Sequence, residues 1–242
     1  MRPWVIMAQN YSHLLWEVTV EFGVPQLTPG CVRAYTMGPV IDSPSRSDTP
    51  NMDLRELFDQ MPLRDWLAAA RERELDYWAE TNRFCGRCGT PLARHPNPAE
   101  RAMCCPKCGL RAYPQMTPAV IVLVKKGDTI LLQRNTHYKL PHWSLVAGFL
   151  DPAENLEEAV RREIREESSL EVGHIRYFGS QIWPFPSNVM IGFVADWVSG
   201  EPTPDGEEIV ASGWFSRDNL PLLPKRISLA RRLVDAWLDG RI

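Results

Sequence analysis

Three glutamates, Glu163, Glu166 and Glu167, are spaced so that a helix would carry their carboxylates on one side of a single turn. They close the run Gly148-x5-Glu154-x7-Arg162-Glu163-Ile164-x-Glu166-Glu167-x-Ser169-Leu170. Projected at about 100° per residue, Leu156, Ala159, Val160, Ile164 and Leu170 form an apolar arc with the three glutamates inside or beside it. Glu157, Glu158, Arg161, Arg162 and Arg165 fill the opposite arc, where Glu157 with Arg161 and Glu158 with Arg162 read as surface pairs. Ionised groups aimed at an interior are costly unless paired or bound to a metal, and clustered oxygen ligands suit the hard ions Mg²⁺ and Mn²⁺. The spacing therefore predicts a divalent-metal site. Asn155 followed by Glu158 has the spacing of a capping box and marks the helix start.

A second constellation is built from sulfur. Cys85-x2-Cys88 and Cys105-x2-Cys108 are separated by sixteen residues, and each pair is followed at once by glycine, Gly89 and Gly109. Four thiolates at this spacing predict a structural, four-coordinate zinc ribbon. A disulfide framework is the competing explanation, and it lacks a secretory signal to support it. Cys104 adjoins the second pair, but only Cys105 has the two-residue spacing to Cys108. Cys31 stands apart and reads as a buried apolar residue.

The elements that must hold these groups follow from pattern. Residues 14–20 and 22–25 alternate short apolar runs with Pro and Gly, which suggests strands and turns, and residues 42–51 form a polar, proline-punctuated loop. From 63 to 82 the pattern is helical, with Leu67, Ala70, Leu75 and Trp78 in register. Ala119 to Val124 has a buried-strand signature, Lys126-Gly127-Asp128 reads as a turn and residues 129–133 as the returning strand. Further strands are expected at 143–149, 176–181, 189–197 and 210–215, with a closing helix at 227–238. Strands flanked by two helices imply an α/β (α+β) sandwich. The 242 residues have ordinary composition, 24% charged and 44% hydrophobic, and the net charge of −3 supplies no global field for nucleic acid. No apolar run approaches membrane-spanning length, so cytoplasmic residence is expected.

The run from Gly148 to Leu170 resembles the Nudix box, with Ser169 where that motif usually ends on glycine. Glycine there commonly supplies a left-handed helix exit. The resemblance implies metal-assisted hydrolysis of a diphosphate bond. A second stretch, Ser180-Gln181-Ile182-Trp183-Pro184-Phe185-Pro186-Ser187-Asn188, is similar to the array that follows the box in the NADH pyrophosphatase branch, with Ile182 for a proline and Asn188 for a serine. The cysteine ribbon, Tyr113-Pro114-Gln115 and Leu220-Pro-Leu-Leu-Pro224 fit the same branch, over about residues 84 to 233. Three domains are expected: an N-terminal domain of strands then helix at 1–83, the ribbon at 84–114 and a catalytic α/β/α domain at 115–242.

The resemblance implies roles for particular residues. Glu163, Glu167, the backbone carbonyl of Ala147 and a distal acid matching Glu208 hold Mg²⁺ or Mn²⁺, and Glu166 completes the cluster. Glu207 is the solvated alternative to Glu208. Phe149 and Tyr113 stack on the nicotinamide, the tyrosine arriving across a homodimer interface. Gln181 to Asn188 line the dinucleotide pocket, and Glu100 and Ala230 fall at substrate-contact positions. Without the resemblance, Trp183 and Phe185 read as a hydrophobic loop packed on the core. Arg162 is expected to orient the carboxylates by a charge-assisted bond. The implied reaction converts NADH or NAD to nicotinamide mononucleotide and AMP, with Glu167 as first candidate base and Glu208 second. The same bond occurs in NAD-capped RNA, and Arg83, Arg87, Arg94, Arg101, Lys107 and Arg111 could track its phosphates. The alternatives are a Nudix hydrolase of another diphosphate such as ADP-ribose, and a non-catalytic zinc-ribbon protein that binds nucleic acid.

Overall fold

The computed structural model describes residues 53–97, 99–136 and 141–242. The strands expected before residue 50, the loop at 42–51 and Cys31 lie outside these residues.

Two helices open the described chain, α1 (Leu54–Leu57) and α2 (Leu63–Thr81). Trp66 and Ala70 are the buried residues of α2, whereas Leu67 is 40% exposed, so the packed face differs from the expected Leu67 register. The face is chosen by its partners. Trp66 donates its indole N–H to the Leu54 carbonyl at 2.8 Å and meets Phe58 edge-on, and the cluster extends to Ile182, Trp183, Phe185 and Ile227.

The ribbon follows as a three-stranded antiparallel sheet, β1 (Ala93–Arg94), β2 (Met103–Cys104) and β3 (Arg111–Ala112). Its knuckles are near copies. Gly89 N–H donates to the Cys85 carbonyl and Gly109 N–H to the Cys105 carbonyl, with positive φ of 69° and 72°. Glycine adopts that conformation without a Cβ clash.

The remainder is a six-stranded mixed sheet between two helices. In chain order it comprises β4 (Thr117–Lys126), β5 (Thr129–Asn135), β6 (Val146–Phe149), α3 (Leu156–Ser168), β7 (Glu171–Trp183), β8 (Asn188–Ser199), β9 (Ile209–Ser216) and α4 (Leu229–Leu238). The sheet runs β7-β8-β4-β5-β9, with β6 paired to the first half of β4. Strand β4 is buried on both faces because successive side chains alternate. Val120, Val122 and Val124 pack with Ala159, Val160 and Ile164 of α3, while Ile121 and Leu123 pack with Leu229, Leu233 and Trp237 of α4. This is the expected sandwich. The strand expected at 143–149 is hydrogen-bonded as a ladder only from Val146, with Ser144 bridging Gln133 and the Trp143 N–H held by the Leu222 carbonyl.

Helix α3 begins as the sequence indicates. Asn155 Oδ1 accepts from the Glu158 N–H and Glu158 Oε2 from the Asn155 N–H, both at 2.9 Å. It ends at Ser169, which takes φ 58° and ψ 30°. A left-handed non-glycine residue carries a steric cost of about 1–2 kcal/mol, partly offset in glycine by its freer unfolded chain. Ser169→Gly is therefore expected to raise stability by about 0.5–1 kcal/mol in reversible denaturant unfolding, without altering the helix content.

Candidate active site

Strand β6 delivers its backbone to the inner side of α3. At Gly148 a Cβ would lie 1.9–2.1 Å from the Glu163 carboxyl atoms, so only glycine lets strand and carboxylate approach this closely. Ala147, the implied carbonyl ligand, is the preceding residue. Glu163 and Glu167 are buried, each 8% exposed, against the core face that holds Ile164 and Val160. The side chain of Glu166 is 59% exposed. These three and Glu208 form a loose group: among the described residues, no three carboxylates gather their oxygens within 4.8 Å.

Arg162 is the hub. Its Nε and Nη2 donate to the two oxygens of Glu154 at 2.8 Å, its Nη1 to Glu163 at 2.8 Å and Glu166 at 3.0 Å, and Nη2 also to the Phe149 carbonyl at 2.8 Å. The surface pair expected between Arg162 and Glu158 is not formed, because Glu158 is occupied in the helix cap. Helical side chains lean toward the N-terminus, which carries the guanidinium back over residues 149–154. The charge-assisted bond from Arg162 to Glu163 is present, and it extends to three further acceptors.

The electrostatics identify the residue most strained by this arrangement. Burial, then the charges of Glu163, Glu208, Asp205 and Glu166, push Glu167 up to about 8. Burial also raises Glu163, against the pull of Arg162. Glu208 lies on the loop before β9, and its backbone carbonyl accepts from Thr136 N–H at 2.8 Å. Its charge is among those that raise Glu167. Asp205 organises this loop by accepting from the amides of Glu207, Glu208 and Ile209 at 2.9, 3.0 and 2.8 Å. Against some loss of solvent, these donors hold its carboxyl below the usual range. Asp205 and Gln133 were not singled out by spacing. Gln133 is buried, donates from Nε2 to the Glu167 carbonyl at 3.1 Å, and its Oε1 has no partner among the described residues. Its position on the buried face of a strand was the one available signal.

The carboxyl-rich group fits a cation by its donor set: two buried carboxylates with further acids around them. The candidate substrate residues are more dispersed. Phe149 and Tyr113 are exposed at 55% and 46%. Glu100 is exposed on the ribbon, and Ala230 is buried in the α4 core. In the 181–188 segment, Gln181 Nε2 donates to the Ile227 carbonyl and Asn188 Nδ2 to the Phe185 carbonyl, while Ser187 Oγ donates to the Gln115 carbonyl. Phe185 lies 3.5 Å below the Arg55 guanidinium and 5.0 Å from Trp183, and Arg73 Nε donates to the Pro184 carbonyl at 3.0 Å. Pro184 is buried, Pro186 exposed, and Ile182 and Trp183 join the α1–α2 cluster.

The four ribbon sulfurs converge. Their ligand atoms all lie within 4.8 Å, with Cys85–Cys108 at 3.6 Å, Cys88–Cys105 at 3.5 Å and Cys88–Cys108 at 3.7 Å. A tetrahedron with zinc–sulfur bonds of about 2.3 Å has edges of about 3.8 Å, so the cradle fits a structural zinc. Thr90, through its hydroxyl and its amide, holds Cys88 down to about 6. Cys105 belongs to this set and Cys104 does not.

Comparison with known proteins agrees with both constellations. A family model described as NUDIX domain matches residues 115–238, and one described as NADH pyrophosphatase zinc ribbon domain matches residues 80–113. A relative named NAD-capped RNA hydrolase NudC, from Pseudomonas aeruginosa (strain LESB58), is 46% identical over 168 residues, covering 69% of this chain and 60% of the relative. One of the same name from Stutzerimonas stutzeri (strain A1501) is 43% identical over 189 residues, covering 78% and 68%. The chain thus spans about 60% of the length of the Pseudomonas aeruginosa relative. In three dimensions it is similar to a NUDIX hydrolase from Nitrosomonas europaea, with a TM-score of 0.58 and 23% identity, over 66% of this chain and 92% of that one. Among the described residues, no helix is long and apolar enough to cross a membrane.

Two predictions follow from this geometry. In the metal-free protein Glu167 binds a proton more tightly when folded, so its contribution to stability is full below about pH 4.5 and is lost as pH rises through about 8. Mn²⁺ uptake at pH 7 should release protons, detected calorimetrically in buffers of different ionisation heat, and Glu167→Gln should remove most of that release. Arg162→Lys keeps one charge but loses the fork, and it should weaken Mn²⁺ binding by about 10- to 100-fold while leaving the helix intact by circular dichroism.

Proposed function

This chain belongs to the NUDIX domain family, and from that premise we propose that it hydrolyses the diphosphate of NADH or NAD to nicotinamide mononucleotide and AMP, and removes NAD caps from RNA to leave a 5′-monophosphate. The observation that carries this reading is the pairing, on one chain, of the buried Glu163 and Glu167 with the four-cysteine ribbon of the NADH pyrophosphatase type. The relatives named for NAD-capped RNA hydrolysis support it.

Glu163, Glu167, Glu208 and the Ala147 carbonyl would hold Mg²⁺ or Mn²⁺, with Glu166 beside them. Bound there, such ions neutralise the diphosphate oxygens and acidify water. The chain's own groups then divide the work. Arg162 keeps Glu163 in place, and the absence of a Cβ at Gly148 lets that carboxylate lie against the β6 backbone, next to the Ala147 carbonyl. Water adds to one phosphorus as the bridging P–O bond breaks, and the oxygen of that bond leaves with the other phosphate. Glu167, its own proton displaced when the cation binds, would accept the proton that water loses, with Glu208 as the second acceptor.

Specificity is assigned to the exposed aromatics and the 181–188 segment. Phe149 and Tyr113 would stack on nicotinamide, Tyr113 being supplied across a homodimer. Gln181, whose Oε1 has no partner among the described residues, and its neighbours Ile182, Trp183, Pro184, Phe185, Pro186, Ser187 and Asn188 would shape the dinucleotide pocket. Glu100 and Ala230 complete the contact set, Ala230 through backbone since its side chain is buried. The domain limits proposed are 1–83, 84–114 and 115–242, and the proposed compartment is the cytoplasm.

The test is product analysis with NADH and with NAD-capped RNA, in Mn²⁺ or Mg²⁺. Release of nicotinamide mononucleotide is expected from both, with a loss of about 10³-fold or more for Glu167→Gln, the range typical of losing a catalytic acid–base group. Phe149→Ala and Tyr113→Ala should each depress turnover of NADH. Turnover indifferent to both aromatics, with ADP-ribose preferred, would overturn the nicotinamide assignment.

A further inference from the structure

We infer that the trough between α1 and the segment leading into α4 holds phosphate groups of a single-stranded nucleic acid, as a subsite beyond the dinucleotide pocket. The inference rests on the capped-RNA reading above for its substrate class.

The trough has a volume of about 550 Å³ and is lined by Arg55, Lys225, Arg226 and Arg231 against two acids, Glu56 and Asp59. Two of the cations have partners. Arg55 pairs with Asp53 at 3.2 Å and Arg231 with Asp235 at 2.7 Å. Lys225 and Arg226 are exposed, and neither side chain joins an ion pair among the described residues. Glu56 and Asp59 share the trough without closing an ion pair on Lys225 or Arg226, which leaves two adjacent cations to meet an anion from solution.

Other features favour phosphate on a nucleotide chain. Helix α4 spans ten residues, and its N-terminus, capped by Ser228 Oγ accepting from the Arg231 N–H at 3.3 Å, adds a positive dipole end beside the cations. Leu223 and Pro224 place apolar surface next to the charge, the combination on which a base can rest while its phosphate is held. The trough also adjoins the 181–188 segment at two points. Arg55 lines the trough and stacks on Phe185, and Ile227, directly after Arg226, gives its carbonyl to Gln181. The subsite is thus contiguous with that segment, through Phe185 on one side and Gln181 on the other.

The experiment compares wild type with Lys225→Ala/Arg226→Ala, which alters neither carboxylates nor aromatics. Steady-state kinetics are measured with free NADH and with an NAD-capped RNA of about ten nucleotides at several salt concentrations, alongside anisotropy of the 5′-monophosphate RNA without divalent ions. The expected result is a KM for capped RNA raised on the order of tenfold, a salt slope reduced by about 1 to 2, and unchanged kinetics on NADH. Capped-RNA KM and salt slope equal to wild type would overturn the subsite, as would equal losses on both substrates. Should wild type turn over neither substrate, the diphosphatase reading fails, and the anisotropy decides alone: weaker RNA binding by the variant supports the subsite and unchanged binding overturns it.

Discussion

Two carboxylates pressed against an apolar core are the constraint around which this domain is arranged. Burying Glu163 and Glu167 beside Ile164 and Val160 would be prohibitive for isolated charges, because a low-dielectric surrounding disfavours the ionised form. Several local features answer that cost. Arg162 spreads one positive charge over Glu154, Glu163 and Glu166, and also ties down the Phe149 carbonyl at the end of β6. Glycine at 148 removes the atom that would displace the Glu163 carboxylate. The capping box sets the start of α3, and hence the rotation that places residues 163 and 167 inward. Glu167 has no such partner, and burial together with the neighbouring acids raises its pKa to about 8.

Much of this could be read in the chain because the relevant signals are local. Glutamates three and four apart share a helix face whatever lies around them, the Asn155–Glu158 pair fixes a cap through backbone geometry, and paired cysteines with glycine after each define a knuckle. The alternating two-sided burial of β4 was equally visible, since a run such as 119–124 has no polar face to offer solvent. The failures were long-range. The charge-assisted bond from Arg162 to Glu163 is as expected, but the expected pair with Glu158 gives way to Glu154 and the Phe149 carbonyl, because helical projection ignores the loop at 149–154 that the guanidinium reaches. Leu67 looked like a core residue of α2, but the burial of that helix is dictated by Leu54, Phe58 and the 182–185 segment, none of which its own periodicity reports. Gln133 and Asp205 act on Glu167 and on the Glu208 loop from positions distant in sequence, and single polar residues carry no spacing signal.

The 181–188 segment shows why the structural and functional readings of a motif need not compete. Its aromatic residues are packed: Phe185 is stacked under Arg55, Trp183 lies edge-on to it, and Arg73 reaches the Pro184 carbonyl from α2. Such contacts rigidify the backbone. A rigid backbone in turn is what a recognition surface requires, because ordering a loop on binding would subtract from affinity. The upstream helices are thereby coupled to the segment that would receive a dinucleotide, although they contribute no carboxylate to the metal site.

The two ion sites differ in a way that follows from how each is built. In the ribbon, backbone hydrogen bonds of two short knuckles position the sulfurs, and the distances of 3.5–3.7 Å between them are already near those of a zinc tetrahedron. Such a site is closed, with every position filled by protein, so it can brace the fold but cannot take substrate. The carboxylates instead sit on long side chains from α3 and a separate loop, and like charge holds them apart. An ion among them would leave coordination positions open to water and to phosphate oxygen.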